Sequence, residues 1–223
     1  MKDCWPINER PREKSLSHGA QILTDTELLA LFLQTGTKDK SVMQVARDLM
    51  SRFGSLCAIL DASDSQLCQS PGIGKAKYVL LKATLELSKR YLWEQTCEQN
   101  VVKNPEMLQK YLQLRLKQHQ REVLACLFLG PSCNVIHYEE LFKGTLTQVP
   151  VYPREIAKMA LTYNAHSVVM AHNHPQGKPK PSKADRFITQ KTKDALALID
   201  IELADHVIIS PKGIYSFAQH GLL

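Results

Sequence analysis

His172-Asn173-His174-Pro175, followed by Ser182 and Asp185, is the stretch of this sequence best suited to chemistry. Residues two apart point the same way when a chain is extended. The apolar run Ser167–Ala171 reads as a buried strand, so His172 and His174 at its end can face one ion. Pro175, Gly177, Pro179 and Pro181 then make a stiff loop that turns the chain. Ser182 reads as the start of a helix, with Asp185 in its first turn and so carried back towards the histidines. Two imidazoles and one carboxylate, with water in a fourth position, form a catalytic rather than a structural zinc arrangement. The expectation is one Zn2+ per chain on His172, His174 and Asp185. An isolated His-x-His is more often an ordinary surface or core pair. Ser182-Lys183-Ala184-Asp185 also fits an ordinary capping box, a role compatible with ligation.

The elements that must position these residues can be read from pattern. Polar, proline-bearing residues 1–20 read as an extended N-terminal arm. Thr24-Asp25-Thr26-Glu27 is a capping box in front of the apolar run Leu28–Leu33. Ser41–Phe53 reads as an amphipathic helix stopped by Gly54. Short helical turns follow at Leu56–Leu60 and Ser65–Gln69, and Lys75–Leu92 reads as a long helix. Residues 21–93 are therefore expected to be an all-α domain. Polar residues 94–104 read as a linker. Asn104-Pro105 then opens a helix to about Leu116. Val123–Leu129, Val135–Phe142, Ser167–Ala171, His206–Ser210 and Ile214–Ala218 are β-rich runs. Helical patterns at Pro153–Tyr163 and Ser182–Leu198 lie between them. The fold class is α/β: residues 105–223 form a mixed β-sheet flanked by helices, preceded by the all-α region.

Composition sets the broad class. In 223 residues the apolar fraction is 44% and the charged fraction 22%, ordinary for a globular protein. No apolar run approaches the length of roughly 18 residues that a membrane span needs, and no signal pattern opens the chain. The reading is cytoplasmic, with no membrane partner. The six cysteines are widely spaced, with no C-x-x-C, and read as reduced, mostly buried thiols. Net charge is +6. Residues 1–100 carry 13 Lys+Arg against 12 Asp+Glu and the remainder 15 against 10, so the surplus lies in the half with the histidines. The G-x-S-x-G elbow of serine hydrolases is missing from the sequence, as are the zincin H-E-x-x-H and the deaminase H-x-E with P-C-x-x-C.

The whole segment His172–Asp185 resembles the JAMM motif of the JAB1/MPN metalloprotease fold. In its stricter form, H-N-H-P-x-G-x-x-x-P-S-x-x-D, it resembles the RadC family, also called UPF0758. The resemblance extends to Glu9-Arg10-Pro11-Arg12-Glu13-Lys14, Glu27-Leu28-Leu29-Ala30-Leu31 and Tyr152-Pro153-Arg154-Glu155-Ile156. It implies a glutamate entering the first strand of the fold. Glu122, before Val123–Leu129, is the matching position, ahead of Glu139 and Glu140. Catalytic roles follow for Glu122 as general base and for Ser182 as a hydrogen-bond donor to an oxyanion. The resemblance implies hydrolysis of a peptide or isopeptide bond, so the substrate is a protein or peptide. It also points to Asp205-His206 as a recurrent pair in which either residue could orient a ligand histidine. His18, His119, His137, His166 and His220 lack ligand spacing.

Pro71-Gly72-Ile73-Gly74-Lys75 resembles a helix-hairpin-helix element. Glycines let backbone amides approach a phosphate, and the following helix N-terminus attracts anions. Gly72, Gly74 and Lys75 are the candidate contacts for weak, non-specific DNA binding, with Lys77 and Lys82 as additions. Tyr78 departs from the small residue usual at its place in such hairpins. A purely structural turn between packed helices fits the same residues. Two functions stay open: a zinc-dependent metallohydrolase, and a DNA-binding module linked to repair or recombination with a structural or vestigial metal. The complete ligand set together with Glu122 favours the first.

Overall fold

The structure is a computed structural model that describes Pro6, residues 9–144 and residues 151–223. Two compact units meet at Ser88/Lys89, and each is described by itself.

The first unit is helical. Pro11–His18 forms α1, which corrects the expectation of an extended arm over residues 1–20. The physical reason lies in the ends. Pro11 sits at the first helical position, where its fixed φ costs nothing, and Gly19 leaves the helix at φ 85°. Lys14 of α1 donates to Glu27 at 3.0 Å. Residues 1–5, 7 and 8, with Cys4 among them, lie outside the described residues. Helix α2, Asp25–Leu33, opens on the expected capping box, the Thr24 hydroxyl accepting from the Glu27 amide and Glu27 accepting from the Thr24 amide. Burial alone would raise the Glu27 pKa; the Thr24 amide and Lys14 outweigh it and hold it below its ordinary value. Helices α3 (Val42–Phe53), α4 (Leu56–Asp61) and α5 (Asp64–Leu67) each start on a capping serine. Leu29, Leu33, Val45, Leu49, Ile59, Leu67 and Ile73 fill the core between them.

Helix α6 spans Lys75–Cys97 and so runs through the start of the expected 94–104 linker. The rest of that stretch is also built in. Val101 is buried, and its amide donates to the Cys133 carbonyl at 3.0 Å. Asn100 receives the Val102 and Lys103 amides and donates to the Ser132 carbonyl at 2.9 Å. Polar composition here reflects a side chain folding its own turn, not a solvated tether.

The second unit is a five-stranded sheet in the order β2-β1-β3-β4-β5. Its strands are β1 (Val123–Leu129), β2 (Val135–Lys143), β3 (Ser167–Asn173), β4 (Glu202–Ser210) and β5 (Gly213–Ser216). Among the described strands only β3 and β4 run parallel, joined through helix α9 (Lys183–Ala197). Helices α7 (Pro105–Leu116) and α8 (Pro153–Thr162) complete the unit. Side chains alternate across the sheet. Ala125, Leu127, Leu129, Val169, Ala171, Val207 and Ile209 face Leu108, Leu112 and Leu116 of α7. Leu124, Cys126, Phe128, Val168 and Met170 face Ile156 and Ala160 of α8 and Leu196 of α9. β1 and β3 are buried along both faces, as their unbroken apolar runs require. β4 starts earlier than expected, at Glu202, and β5 is the short piece Gly213–Ser216.

The five described cysteines are free thiols, but only Cys126 is buried and Cys57 is exposed, which corrects the expectation of mostly buried thiols. Among the described residues no helix is long and apolar enough to cross a membrane.

Gly72 lies in the turn between α5 and α6 at φ +86°, and a Cβ there would come within 2.6 Å of Thr37 Cγ2. Gly74 has nothing within 4 Å of such a Cβ. Gly72→Ala is therefore expected to cost about 1–3 kcal/mol, and Gly74→Ala within about 0.5 kcal/mol. Urea unfolding of the two variants side by side checks the contrast; equal stabilities would contradict it.

Candidate metal centre

The histidines stand where the parallel pair β3/β4 ends, the usual place for a site in an open α/β sheet. His172 is the last but one residue of β3, paired with Ile208 of β4, on the face turned to α9. His174 follows one residue beyond the strand, its amide donating to the Ile209 carbonyl at 2.7 Å. The loop after it returns to α9 in a tight path, and a Cβ on Gly177 would already lie 3.2 Å from His174 Cβ. Ser182 caps α9, its hydroxyl accepting from the Asp185 amide at 3.1 Å, while its own amide donates to Asp185 Oδ2 at 2.7 Å. The capping box thus fixes the carboxylate as well as the helix end.

These elements bring three donor atoms together. The Nε2 atoms of His172 and His174 lie 3.0 Å apart. Asp185 Oδ1 is 3.4 Å from His172 Nε2, and Oδ2 is 3.6 Å from His174 Nε2. Among the described residues this is the one group of histidine and carboxylate side chains that could hold a metal ion, its ligand atoms all within 4.8 Å of one another. The donor set suits a borderline cation, two neutral imidazole nitrogens and a carboxylate oxygen. Both histidines are held through Nδ1 and offer Nε2. His174 Nδ1 lies 3.2 Å from the Lys178 carbonyl, and His172 Nδ1 lies 2.8 Å from His206 Nε2.

At His172 and Asp185 the local electrostatics match. Burial pushes the His172 pKa down to about 4, with Asp185 offsetting part of it. His174 is shifted up, chiefly by its contact with the Asp185 carboxylate. Burial would raise Asp185, but His174, His172 and the Ser182 amide hold it well below the usual carboxylate range. The carboxylate is ionised at neutral pH, as a ligand must be.

Glu122 lies just before β1. The β1/β3 register pairs Leu124 with His172, so two residues further out Glu122 comes opposite His174. It is half-buried, and burial raises its pKa above the ordinary value, helped by the Asp185 charge and opposed by His174. The segment carrying it is clamped by Asn173, a residue the sequence reading passed over. Asn173 Oδ1 accepts from the Val123 amide at 2.7 Å, and Nδ2 donates to the Arg121 and His119 carbonyls at 3.0 and 3.2 Å. Alternation sends the histidines to one face and Asn173 to the other, where it meets the chain leading into β1.

The pair Asp205-His206 separates on folding. His206 is fully buried and reaches His172. Asp205 faces the α7 side, accepting from Ser216 Oγ at 2.6 Å and from the Ala218 and His206 amides, so it ties β4 to the turn after β5. Glu140 accepts from the Tyr138 hydroxyl and lies 3.3 Å from His119 Nε2, and Glu139 pairs across β1 with Cys126. Neither belongs to the donor group. Gly72, Gly74 and Lys75 lie in the first unit, at the turn leading into α6. Beside them Lys77 donates to the Thr35 and Gly72 carbonyls, and Lys82 to the Leu60 carbonyl, so both ammonium groups hold backbone.

A mixed sheet flanked by helices, with His-x-His and an aspartate gathered at one end, defines a JAB-type α/β domain with a candidate metal centre. Residues 102–222 match the family model described as the RadC-like JAB domain, and residues 2–79 match the UPF0758 N-terminal model. The chain belongs to the RadC family, UPF0758. It is 48% identical over 219 residues to a UPF0758 protein of Nitrosococcus oceani and 50% identical over 219 residues to one of Janthinobacterium sp. strain Marseille, covering 98% of each chain in both cases. A UPF0758 protein of Marinomonas sp. is 47% identical over the same span, again with 98% coverage.

Asn173→Leu keeps the bulk of the side chain and removes the hydrogen bonds to the segment before β1. It is expected to lower the unfolding free energy by about 1–3 kcal/mol, the cost of leaving the buried Val123 amide without its partner. Chemical denaturation measures this; a loss below about 0.5 kcal/mol would contradict the clamp.

Proposed function

We propose that the second unit is a zinc-dependent metallohydrolase acting on amide bonds, of peptide or isopeptide type, in a cytoplasmic setting. The observation that carries the reading is the meeting of two Nε2 atoms and one carboxylate within 4.8 Å, beside Glu122. Zinc bound there would supply a water of lowered pKa and a Lewis-acid contact for the substrate carbonyl. His172, His174 and Asp185 would hold it. Glu122 takes a proton from the attacking water and returns it to the leaving amine, a role that its raised pKa suits. Ser182 Oγ already accepts from the Asp185 amide, which leaves its O–H to donate to the oxyanion as it forms. The DNA-binding alternative has less support, because Lys77 and Lys82 are bonded to carbonyls and Gly72 has a structural reason for its place.

The test is a panel of peptide and isopeptide substrates offered to the zinc-loaded wild type and to Glu122→Gln. The variant is expected to keep its zinc and lose about 10²–10⁴-fold in rate. A variant as active as the wild type, or a fully loaded wild type that cleaves nothing in the panel, would overturn the proposal.

A further inference from the structure

His172 can bind an ion through Nε2 only in the tautomer that carries its proton on Nδ1. For His174 the matching choice is made by a backbone carbonyl, that of Lys178, which can only accept. His172 has no carbonyl at Nδ1. Its neighbour there is another imidazole, His206 Nε2, at 2.8 Å. Two imidazoles facing each other leave the proton undecided, so something further along must decide it.

The contacts beyond His206 do so. His206 Nδ1 lies 2.6 Å from the Thr189 hydroxyl, and that hydroxyl lies 2.5 Å from the Asp185 backbone carbonyl. A carbonyl oxygen brings no proton, so the Thr189 hydroxyl must donate its only one there. Towards His206 the hydroxyl can then only accept. His206 therefore carries its proton on Nδ1, and its Nε2 is bare. Both rings are buried, His206 completely and stacked 4.9 Å from Phe217, so neither gains a second proton cheaply. A bare His206 Nε2 can only accept from His172, whose proton is then on Nδ1. The lone pair of His172 Nε2 faces His174 and Asp185.

We propose that Thr189 and His206 are positioning residues, forming a relay that starts at the Asp185 carbonyl and sets the ligating tautomer of His172. The relay rests on the reading of His172 as a metal ligand. Asp185 then serves the centre twice, its carboxylate as a ligand and its carbonyl as the fixed acceptor that orders the chain of protons. The helical spacing of Asp185 and Thr189, four residues apart, makes the first link, because a threonine hydroxyl reaches the carbonyl one turn back. The parallel pairing of β3 with β4 makes the last: His206 pairs with Met170 and His172 with Ile208, so the two histidines are diagonal neighbours on one face and their rings meet.

Two measurements test it. In metal-free wild-type protein with ¹⁵N-labelled histidine, NMR should report both His172 and His206 as Nδ1–H tautomers. Finding either as Nε2–H overturns the relay. Competitive zinc titration should show Thr189→Val, which keeps the shape and loses the hydroxyl, binding about 10–100-fold more weakly than wild type. Thr189→Ser should restore affinity to within about threefold of wild type, since it restores the acceptor. A Thr189→Val protein that binds zinc as tightly as wild type overturns the relay. A serine variant as weak as the valine one overturns it too, because the loss would then follow packing. Wild-type zinc affinity separates the two claims: no binding there sinks the hydrolase reading, while the tautomer spectrum still decides the relay. That spectrum needs no variant, so a valine variant that failed to fold would not shield the proposal.

Discussion

Two imidazoles and a carboxylate must converge on one point while every other polar atom on those side chains finds a partner. Most of the second unit is explained by that requirement. The convergence puts His172 and His174 two residues apart at the end of an extended strand. It puts Asp185 at the start of a helix returning over the same face. Each partner demand is met by a different element. The Lys178 carbonyl takes His174 Nδ1, β4 supplies His206 for His172, and the cap at Ser182 holds Asp185 Oδ2. Of the three, the His172–His206 contact is buried, and its loss would leave a buried ring nitrogen unpaired, at about 1–3 kcal/mol.

The sheet serves the site through its twofold alternation. In His172-Asn173-His174 the outer residues turn to α9 and the middle one turns to the α7 side. One short segment thereby carries both candidate ligand histidines and the clamp on the chain that bears Glu122. Glu122 and the two histidines come from segments adjacent in space and distant in sequence, and Asn173 links them. Around this polar cluster, apolar side chains pack both faces of β1 and β3. Low local polarity strengthens each polar contact and makes each unpaired group costly.

Much of the centre was legible in the chain. His172 and His174 carry strand periodicity after an apolar run, and Ser182 with Asp185 carries a helix-cap spacing. Both are short-range signals that sequence states directly. Glu122 was reached only through the family motif, since a glutamate before an apolar strand has no distinguishing pattern. Thr189 went unread because a threonine inside a helix says nothing of which buried ring lies above it. Which member of Asp205-His206 meets His172 depends on a register shift between β3 and β4, at Val168/Val169, that spacing does not show. The helix at Pro11–His18 and the packed stretch after Cys97 were misread for one reason. Proline and polar residues mark both loops and the ends of ordered elements, and partners such as Glu27 and Cys133 decide between them.

The central claim is that this chain folds a binding site for one ion out of His172, His174 and Asp185. Elemental mass spectrometry of protein purified without added metal, then reloaded with zinc and stripped of free ion, tests it most directly. The wild type should hold about one zinc per chain, and the double variant His172→Ala/His174→Ala, purified in parallel, should hold none. A wild type without metal after reloading, or a double variant that retains as much, would contradict the account.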